Sequence, residues 1–428
     1  MKIKTKKLSY EKAISLPREK HRKPIKPSIF FRTLIRVISI FDLIATNFTF
    51  TKKNMEKAGK GPYLILMNHS SFIDLEIAHR IMYPHPMCIV CTSDAFVGMD
   101  LLMRFIGCIP TQKFVTDMTL IRDIIYTIKK KNTSVLMYPE ASYSFDGTAT
   151  PLPKSLGMLV KKLGVPVVNI RTYGAFARQP LYNCLKKRKV NVSAEVECLL
   201  SADEITSKTA DEIQNILDNA YDFDNFRWQR ENSVVIDEKD RAEGLERILY
   251  KCSSCESEGE MIGMGTEIRC KKCGCTHYLT ELGALEGGEN ARFDHIPDWY
   301  LWERECVRDE LLSGKYKLDT EVEIGIMVNH KAIYMVGEGR LLHDECGFKL
   351  TGCDGKLKYE QKPLSSYGLY ADYYWYEIGD IICIGDKNCL YYCFPKKDGV
   401  VSKTRLAAEE LYKIYKERQA REKEVFSK

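Results

Sequence analysis

No stretch of this 428-residue chain holds the ~18 uncharged apolar residues that a membrane-spanning helix usually needs. The longest N-terminal apolar region, residues 29–50, is interrupted by Arg32, Arg36 and Asp42. Residues 1–28 lack the apolar segment of a secretory leader. They are charged and punctuated by proline, so the expected setting is a reducing cytoplasm. No internal repeat is visible. Nor does one charge dominate: 64 Lys and Arg against 58 Asp and Glu leave a net +6. An apolar share of 45% and a charged share of 29% mark an ordinary globular protein. The length allows two or three domains, each with its own core.

The modest net charge hides an asymmetry. Residues 1–36 carry twelve Lys and Arg against two Glu, so the rest of the chain is slightly acidic. A basic arm on an acidic body suggests an anionic partner. At helical spacing, Arg32, Arg36, Ser39, Asp42 and Thr46 make a narrow polar stripe. The wide opposite face carries Phe30, Leu34, Val37, Ile38, Phe41 and Ile44. Arm and helix together suit the interface of an anionic membrane, peripheral or monotopic on its inner face. The competing reading packs that face on the protein's own core.

Residues 61–200 alternate short apolar runs with amphipathic segments. Strands are predicted at 63–67, 88–91, 134–138, 165–170 and 190–200, and helices at 74–81, 116–130, 154–162 and 210–221. That alternation indicates an α/β sheet domain. An aromatic helix is predicted at 297–312. Beyond 316 the pattern becomes mostly β, with a charged closing helix from 402.

The most informative stretch is Asn68-His69-Ser70-Ser71-Phe72-Ile73-Asp74. It follows a buried-looking strand, where α/β enzymes often place chemistry. A neutral His can take a proton near pH 7, and a carboxylate can fix its tautomer. A polar turn capping a helix explains the same residues equally well on their own. Order and spacing of three later segments decide the matter. These are Phe105 to Lys113, Tyr138-Pro139-Glu140-Ala141-Ser142-Tyr143-Ser144, and Val165-Pro166-Val167-Val168.

Together the four segments resemble the blocks of the glycerolipid acyltransferase family, which contains 1-acylglycerol-3-phosphate acyltransferase. The resemblance covers roughly residues 55–200. It implies that His69 is the base on an acceptor hydroxyl, that Asp74 holds His69, and that acyl-CoA or acyl carrier protein brings the acyl group. It also implies that Lys113, Glu140, Ser142 and Tyr143 lie near a lysophospholipid acceptor. Asn68 or the backbone N–H groups of Ser70 and Ser71 are expected to help stabilise the oxyanion. The common third block reads Phe-Pro-Glu-Gly-Thr-Arg-Ser; here Tyr143 stands in the Arg position and Ala141 in the Gly position. Arg171 or Arg178 is the expected replacement for the missing guanidinium. Otherwise the acceptor lacks a phosphate.

Sixteen cysteines are present, and most are scattered singly. Cys252, Cys255, Cys270 and Cys273 form a C-x2-C…C-x2-C pattern, the signature of a structural zinc site. The module resembles a zinc ribbon. Acidic neighbours favour a structural or docking role over nucleic-acid binding, which is not expected.

The expected architecture is therefore an α/β acyltransferase domain, a small zinc ribbon, and a C-terminal mostly-β domain with a closing helix. The last weakly resembles a pleckstrin-homology-like barrel. The expected divisions are 1–54 for arm and helix, 55–225 for the acyltransferase domain, and 226–247 for a linker. Then come 248–280 for the ribbon, 281–313 for a linker and aromatic helix, and 314–428 for the β domain. Two readings compete with an acyltransferase: a non-catalytic lipid-binding scaffold, and a nucleic-acid-binding protein using arm and ribbon.

Overall fold

The computed structural model describes residues 2–115, 117–288 and 291–426. A seven-stranded sheet organises the first half. In spatial order its strands are Thr49–Lys53, Ser193–Leu200, Val167–Tyr173, Leu64–Met67, Ser134–Met137, Met87–Thr92 and Cys108–Thr111. Neighbours run parallel, except that Val167–Tyr173 and Ser193–Leu200 are antiparallel. Every residue of Leu64–Met67 is buried, as a central strand covered on both faces requires. The helices Ile73–Met82, Met118–Lys131, Leu156–Leu163 and Ala210–Ala220 sit close to their expected limits. Thr116, the expected start of the second, lies outside the described residues. Asp117 caps that helix by accepting from the Thr119 N–H, and three lysines complement its final turn.

Two strands of this sheet escape sequence reading, for different reasons. Thr49–Lys53 is an exposed edge strand with almost no apolar pattern. Cys108–Thr111 contains Pro110, which a sheet tolerates only at an edge. The first strand also moves the expected division at residue 54, because the seven-stranded sheet already begins at residue 49.

The second half holds two further sheets. Met261–Met264, Glu267–Cys270, Thr276–Leu279 and Leu285–Gly287 form the four-stranded cysteine module. Its last strand falls within the expected linker 281–313; Glu289 and Asn290 lie outside the described residues. Helix Ile296–Leu312 follows and buries Trp299, Tyr300 and Trp302. The final sheet is antiparallel, in the order Leu357–Gln361, Gly347–Gly352, Ile333–Asp344, Leu318–Met327, Leu390–Pro395, Gly379–Gly385 and Tyr370–Trp375. Helix Val400–Phe426 closes the chain.

The N-terminal arm is not a separate unit. Strand Thr5–Lys7 joins the last sheet, parallel to Ile333–Asp344. The chain then crosses to the first sheet domain as a strap. Asn329 Nδ2 donates to the Pro17 carbonyl (3.1 Å), and Cys88 Sγ donates to the Ile25 carbonyl (3.5 Å). Pairing at an open strand edge satisfies backbone groups and fixes where the arm begins. The lysines at 4, 6 and 7 stay exposed. Nor are the halves independent: one apolar core runs from Ala13 through Phe145, Leu245 and Trp299 to Leu411. The expected linker at 226–247 contributes Phe226, Ala242 and Leu245 to it.

Candidate functional site

His69 leaves the carboxyl end of the central strand Leu64–Met67. The third block leaves the adjacent strand Ser134–Met137 on one side, and Val167–Tyr173 lies on the other. Lys113 follows the edge strand Cys108–Thr111 at the same end of the sheet. Parallel strands therefore deliver four distant segments to one rim, the usual site location in open α/β sheets.

His69 Nδ1 lies 3.2 Å from Asp74 Oδ2. An ionised carboxylate only accepts, so Nδ1 carries the proton and Nε2 is left with its lone pair. Asp74 is fully buried and sits in the first turn of helix Ile73–Met82. The N–H groups of Ser70 (2.7 Å) and Ser71 (3.0 Å) also donate to its Oδ2. They are therefore spent on Asp74, which corrects the expectation that they face an oxyanion. Burial lowers the His69 pKa, and the Asp74 hydrogen bond opposes that shift. The ring is held between two tyrosines. Tyr138 stacks at 3.9 Å and Tyr143 tilts at 4.3 Å between centroids.

Glu140 works beneath the loop. One carboxylate oxygen accepts from the His69 N–H (3.3 Å), the other from the Thr150 N–H (3.0 Å). Burial pushes its pKa up to about 7. Ala141 keeps φ +58, the left-handed conformation that favours glycine, at the block position where the family form has Gly. Ser142 is buried and accepts from Arg405 Nη2 (3.2 Å). Arg171 lines the same cleft as His69, Asn68 and Glu140, and its guanidinium donates to the Ala220 carbonyl. Arg178 is elsewhere, buried in an ion pair with Asp42 (3.1 Å). Asn68 Oδ1 accepts from the Thr172 N–H (2.8 Å), tying His69 to the neighbouring strand.

Lys113 is brought to a place the sequence did not foresee. Its ammonium lies 4.2 Å from the Tyr370 ring centroid, against the last domain. Asp372 and Asp94 raise its pKa, while burial lowers it more strongly. Tyr370, Asp372 and Arg405 all belong to the C-terminal half. No local pattern signals them, because Arg405 meets Ser142 across a separation of 263 positions.

The cysteine module brings Cys252, Cys255, Cys270 and Cys273 together, with all four sulfurs within 4.8 Å of one another. The Cys252–Cys273 and Cys255–Cys270 separations are 3.7 and 3.8 Å. A tetrahedral site with Zn–S bonds of ~2.3 Å has sulfurs ~3.8 Å apart, so these thiols fit the ion. Cys275 pairs instead with Ser254 (3.1 Å) and His277 (3.6 Å).

Helix Ile29–Ala45 turns the usual pattern inside out. Its buried residues are Ser39 and Leu43, while Phe41 is 80% exposed, Ile44 68% and Phe30 66%. The polar stripe faces the protein: Arg32 donates to the Pro84 carbonyl, Arg36 covers the Tyr83 ring, and Asp42 pairs with Lys187. Phe31 stacks on Phe105 (5.9 Å), which extends the apolar surface to exposed Leu101 and Leu102. Among the described residues no helix is long and apolar enough to cross a membrane.

Comparison with known proteins bears on the first sheet domain. Residues 48–172 match the family model named Acyltransferase. The chain is 25% identical to the Homo sapiens 1-acyl-sn-glycerol-3-phosphate acyltransferase beta over 163 residues, covering 37% of this chain and 57% of that protein. It thus spans little more than half the length of the curated relative it matches. A crystal structure of the 1-acyl-sn-glycerophosphate (LPA) acyltransferase PlsC from Thermotoga maritima aligns with 44% of this chain and 78% of that one. That alignment has 16% identity and a TM-score of 0.33. The family model and the curated relative thus bear on the domain that carries His69 and the third block.

Proposed function

We propose that this protein transfers a fatty acyl chain from a thioester, acyl-CoA or acyl carrier protein, to the free hydroxyl of 1-acylglycerol-3-phosphate, giving phosphatidic acid. The supporting observation is the His69–Asp74 pair at the carboxyl rim of the sheet, with Nδ1 turned to Asp74 and Nε2 the nitrogen left to meet an acceptor. His69 Nε2 takes the hydroxyl proton as the acceptor oxygen attacks the thioester carbonyl. Asp74 stabilises the imidazolium that forms. The tetrahedral intermediate collapses, the C–S bond breaks, and the proton passes to the leaving thiolate. No acyl-enzyme is needed, because the thioester is already activated and positioning supplies much of the rate.

A second reading, a non-phosphorylated lipid acceptor, is favoured by Tyr143 against the His69 ring where a guanidinium was expected. A labelled acyl donor offered with a panel of phosphorylated and neutral lipid acceptors separates the two. Phosphatidic acid as the main product is expected; acylation of neutral acceptors alone would replace the first reading with the second.

The four converging thiols are assigned one structural zinc, which would stabilise the small cysteine sheet. Metal analysis should find about one equivalent per chain, lost in Cys270→Ser; iron or no metal would refute it. The exposed face of helix Ile29–Ala45 and the exposed lysines of the strap support attachment to an anionic membrane on its cytoplasmic face. The last sheet supports the pleckstrin-homology-like reading through its two antiparallel meanders and closing helix.

A further inference from the structure

The closing helix Val400–Phe426 drives one charged side chain into the third block. Arg405 is 3% exposed. Its Nε donates to Glu409 Oε1 (3.0 Å) and its Nη2 to Ser142 Oγ (3.2 Å). The guanidinium lies 4.1 Å from the centre of the Phe145 ring. Ser142 and Phe145 flank Tyr143, which rests against His69. Arg405 Nη1 is buried and, among the described residues, has no hydrogen-bond partner.

A purely structural ion pair would not leave the guanidinium in this state. Glu409 also accepts from Arg304 Nη2 (2.7 Å), so one carboxylate serves two guanidinia. The connected network holds Arg304, Arg308, Arg405 and Lys413 against Glu409, Glu410 and Glu417. Its outer members Arg308, Lys413 and Glu417 reach solvent, while Arg405 is buried and shares Glu409 with Arg304. A buried donor left without a partner is costly unless a ligand uses it.

A second cation lies nearby. Lys113 sits over Tyr370 and, among the described residues, pairs with no carboxylate. It is close enough to His69 to lower that imidazole's pKa, and it feels the charge of Arg405. Burial pushes the Asp372 pKa up to about 6, against the pull of both cations. An arriving anion would meet two cations and Asp372, whose raised pKa lets it take up a proton as the anion binds.

We propose that Arg405 and Lys113 form a composite phosphomonoester site beside His69, so that the C-terminal domain sets the acceptor specificity of the acyl-transfer site. This rests on the acyltransferase reading above. The geometry explains why Tyr143 can occupy the position expected for a guanidinium: the charge comes from the closing helix instead. Arg suits the task because its planar fork can bind phosphate through Nη1 while Nε and Nη2 remain anchored.

The test uses the full-length chain with three substrate pairs. These are acyl-CoA with 1-acylglycerol-3-phosphate, acyl-CoA with 1-monoacylglycerol, and a phosphate-free acyl N-acetylcysteamine thioester with 1-acylglycerol-3-phosphate. Arg405→Met should lower kcat/KM for the phosphorylated acceptor ~10–100-fold with either donor, the loss expected for a hydrogen bond to a charged group. The rate with monoacylglycerol should change little. Lys113→Met should give the same selective loss. Arg308→Ala, in the same ion network but away from the third block, should leave the preference intact.

If Arg405→Met does not fold, Arg405→Lys carries the test, because it keeps the charge and loses the fork. It should weaken the preference for the phosphorylated acceptor. An unchanged preference, or equal losses on all three pairs, would make Arg405 a structural strut and overturn the assignment. Loss confined to acyl-CoA, with either acceptor, would move the site to the donor's phosphates and overturn it as well. A wild-type protein that acylates only monoacylglycerol would instead remove the phosphorylated acceptor from the proposed function.

Discussion

Two long helices of this protein break the inside–outside rule in opposite directions. Ile29–Ala45 turns Phe30, Phe41 and Ile44 outward and its polar stripe inward. Val400–Phe426 buries Arg405, Glu409 and Glu410. An exposed apolar face of this size usually marks an interaction surface. Buried charges are retained where they are paired or used. The first helix thus has the form of a surface element awaiting an apolar neighbour, and the second that of an internal element that delivers charge. Each inversion marks a place where folding stability alone does not explain the residue choice.

The sharpest cut through this comparison removes the site between the two helices. His69→Ala should lower turnover by ~10²–10⁴, the range for losing general-base catalysis. Vesicle binding and thermal melting should stay as in the wild type. If either falls with activity, site and helices are not separable.

Next comes the interior helix. Glu409→Leu leaves Arg304 and Arg405 without their shared carboxylate and should cost about 3–5 kcal/mol of stability. A denaturant midpoint measured at unchanged slope would read it. A small shift would mean that the network is not structural at all.

The exterior helix should respond in the opposite way. Phe41→Asp should change stability by no more than about 0.5 kcal/mol, as for an ordinary surface position. Binding to anionic vesicles should weaken even at high salt, where lysine attraction is screened but apolar insertion is not. A large loss of stability would show that this face packs against something in the folded protein. Deleting residues 1–28 is a poor substitute, because it also removes the strand Thr5–Lys7 from the last sheet.

The smallest effect concerns pH. Burial disfavours the imidazolium of His69, so its folded pKa lies below the ordinary value. The base form then persists into mild acid. The acid limb of kcat/KM should lie below pH ~6.5, the usual histidine value, with activity lost as pH falls through it. A limb above that value would mean that Asp74 outweighs desolvation.

What the sequence could express was whatever is encoded locally. The central strand before His69 is legible because every residue of Leu64–Met67 is apolar. The His69–Asp74 contact is legible because five positions span one turn into a helix. The cysteine pattern carries its own geometry, since two C-x2-C turns can close only on one another. The outward face of Ile29–Ala45 was also foreseeable from its stripe, although its exposure was one of two readings.

The tertiary structure decided everything that depends on meeting across long separations. It joined Thr5–Lys7 to a strand more than three hundred residues away, turning an arm into a strap. It spent the Ser70 and Ser71 N–H groups on Asp74 and removed Arg178 to an ion pair with Asp42. It placed Lys113 against Tyr370, and Arg405 against Ser142. Periodicity reports which face of an element is apolar, but not which distant element will cover it. Only packing in three dimensions brings a guanidinium from the closing helix against Ser142 and Phe145 of the third block.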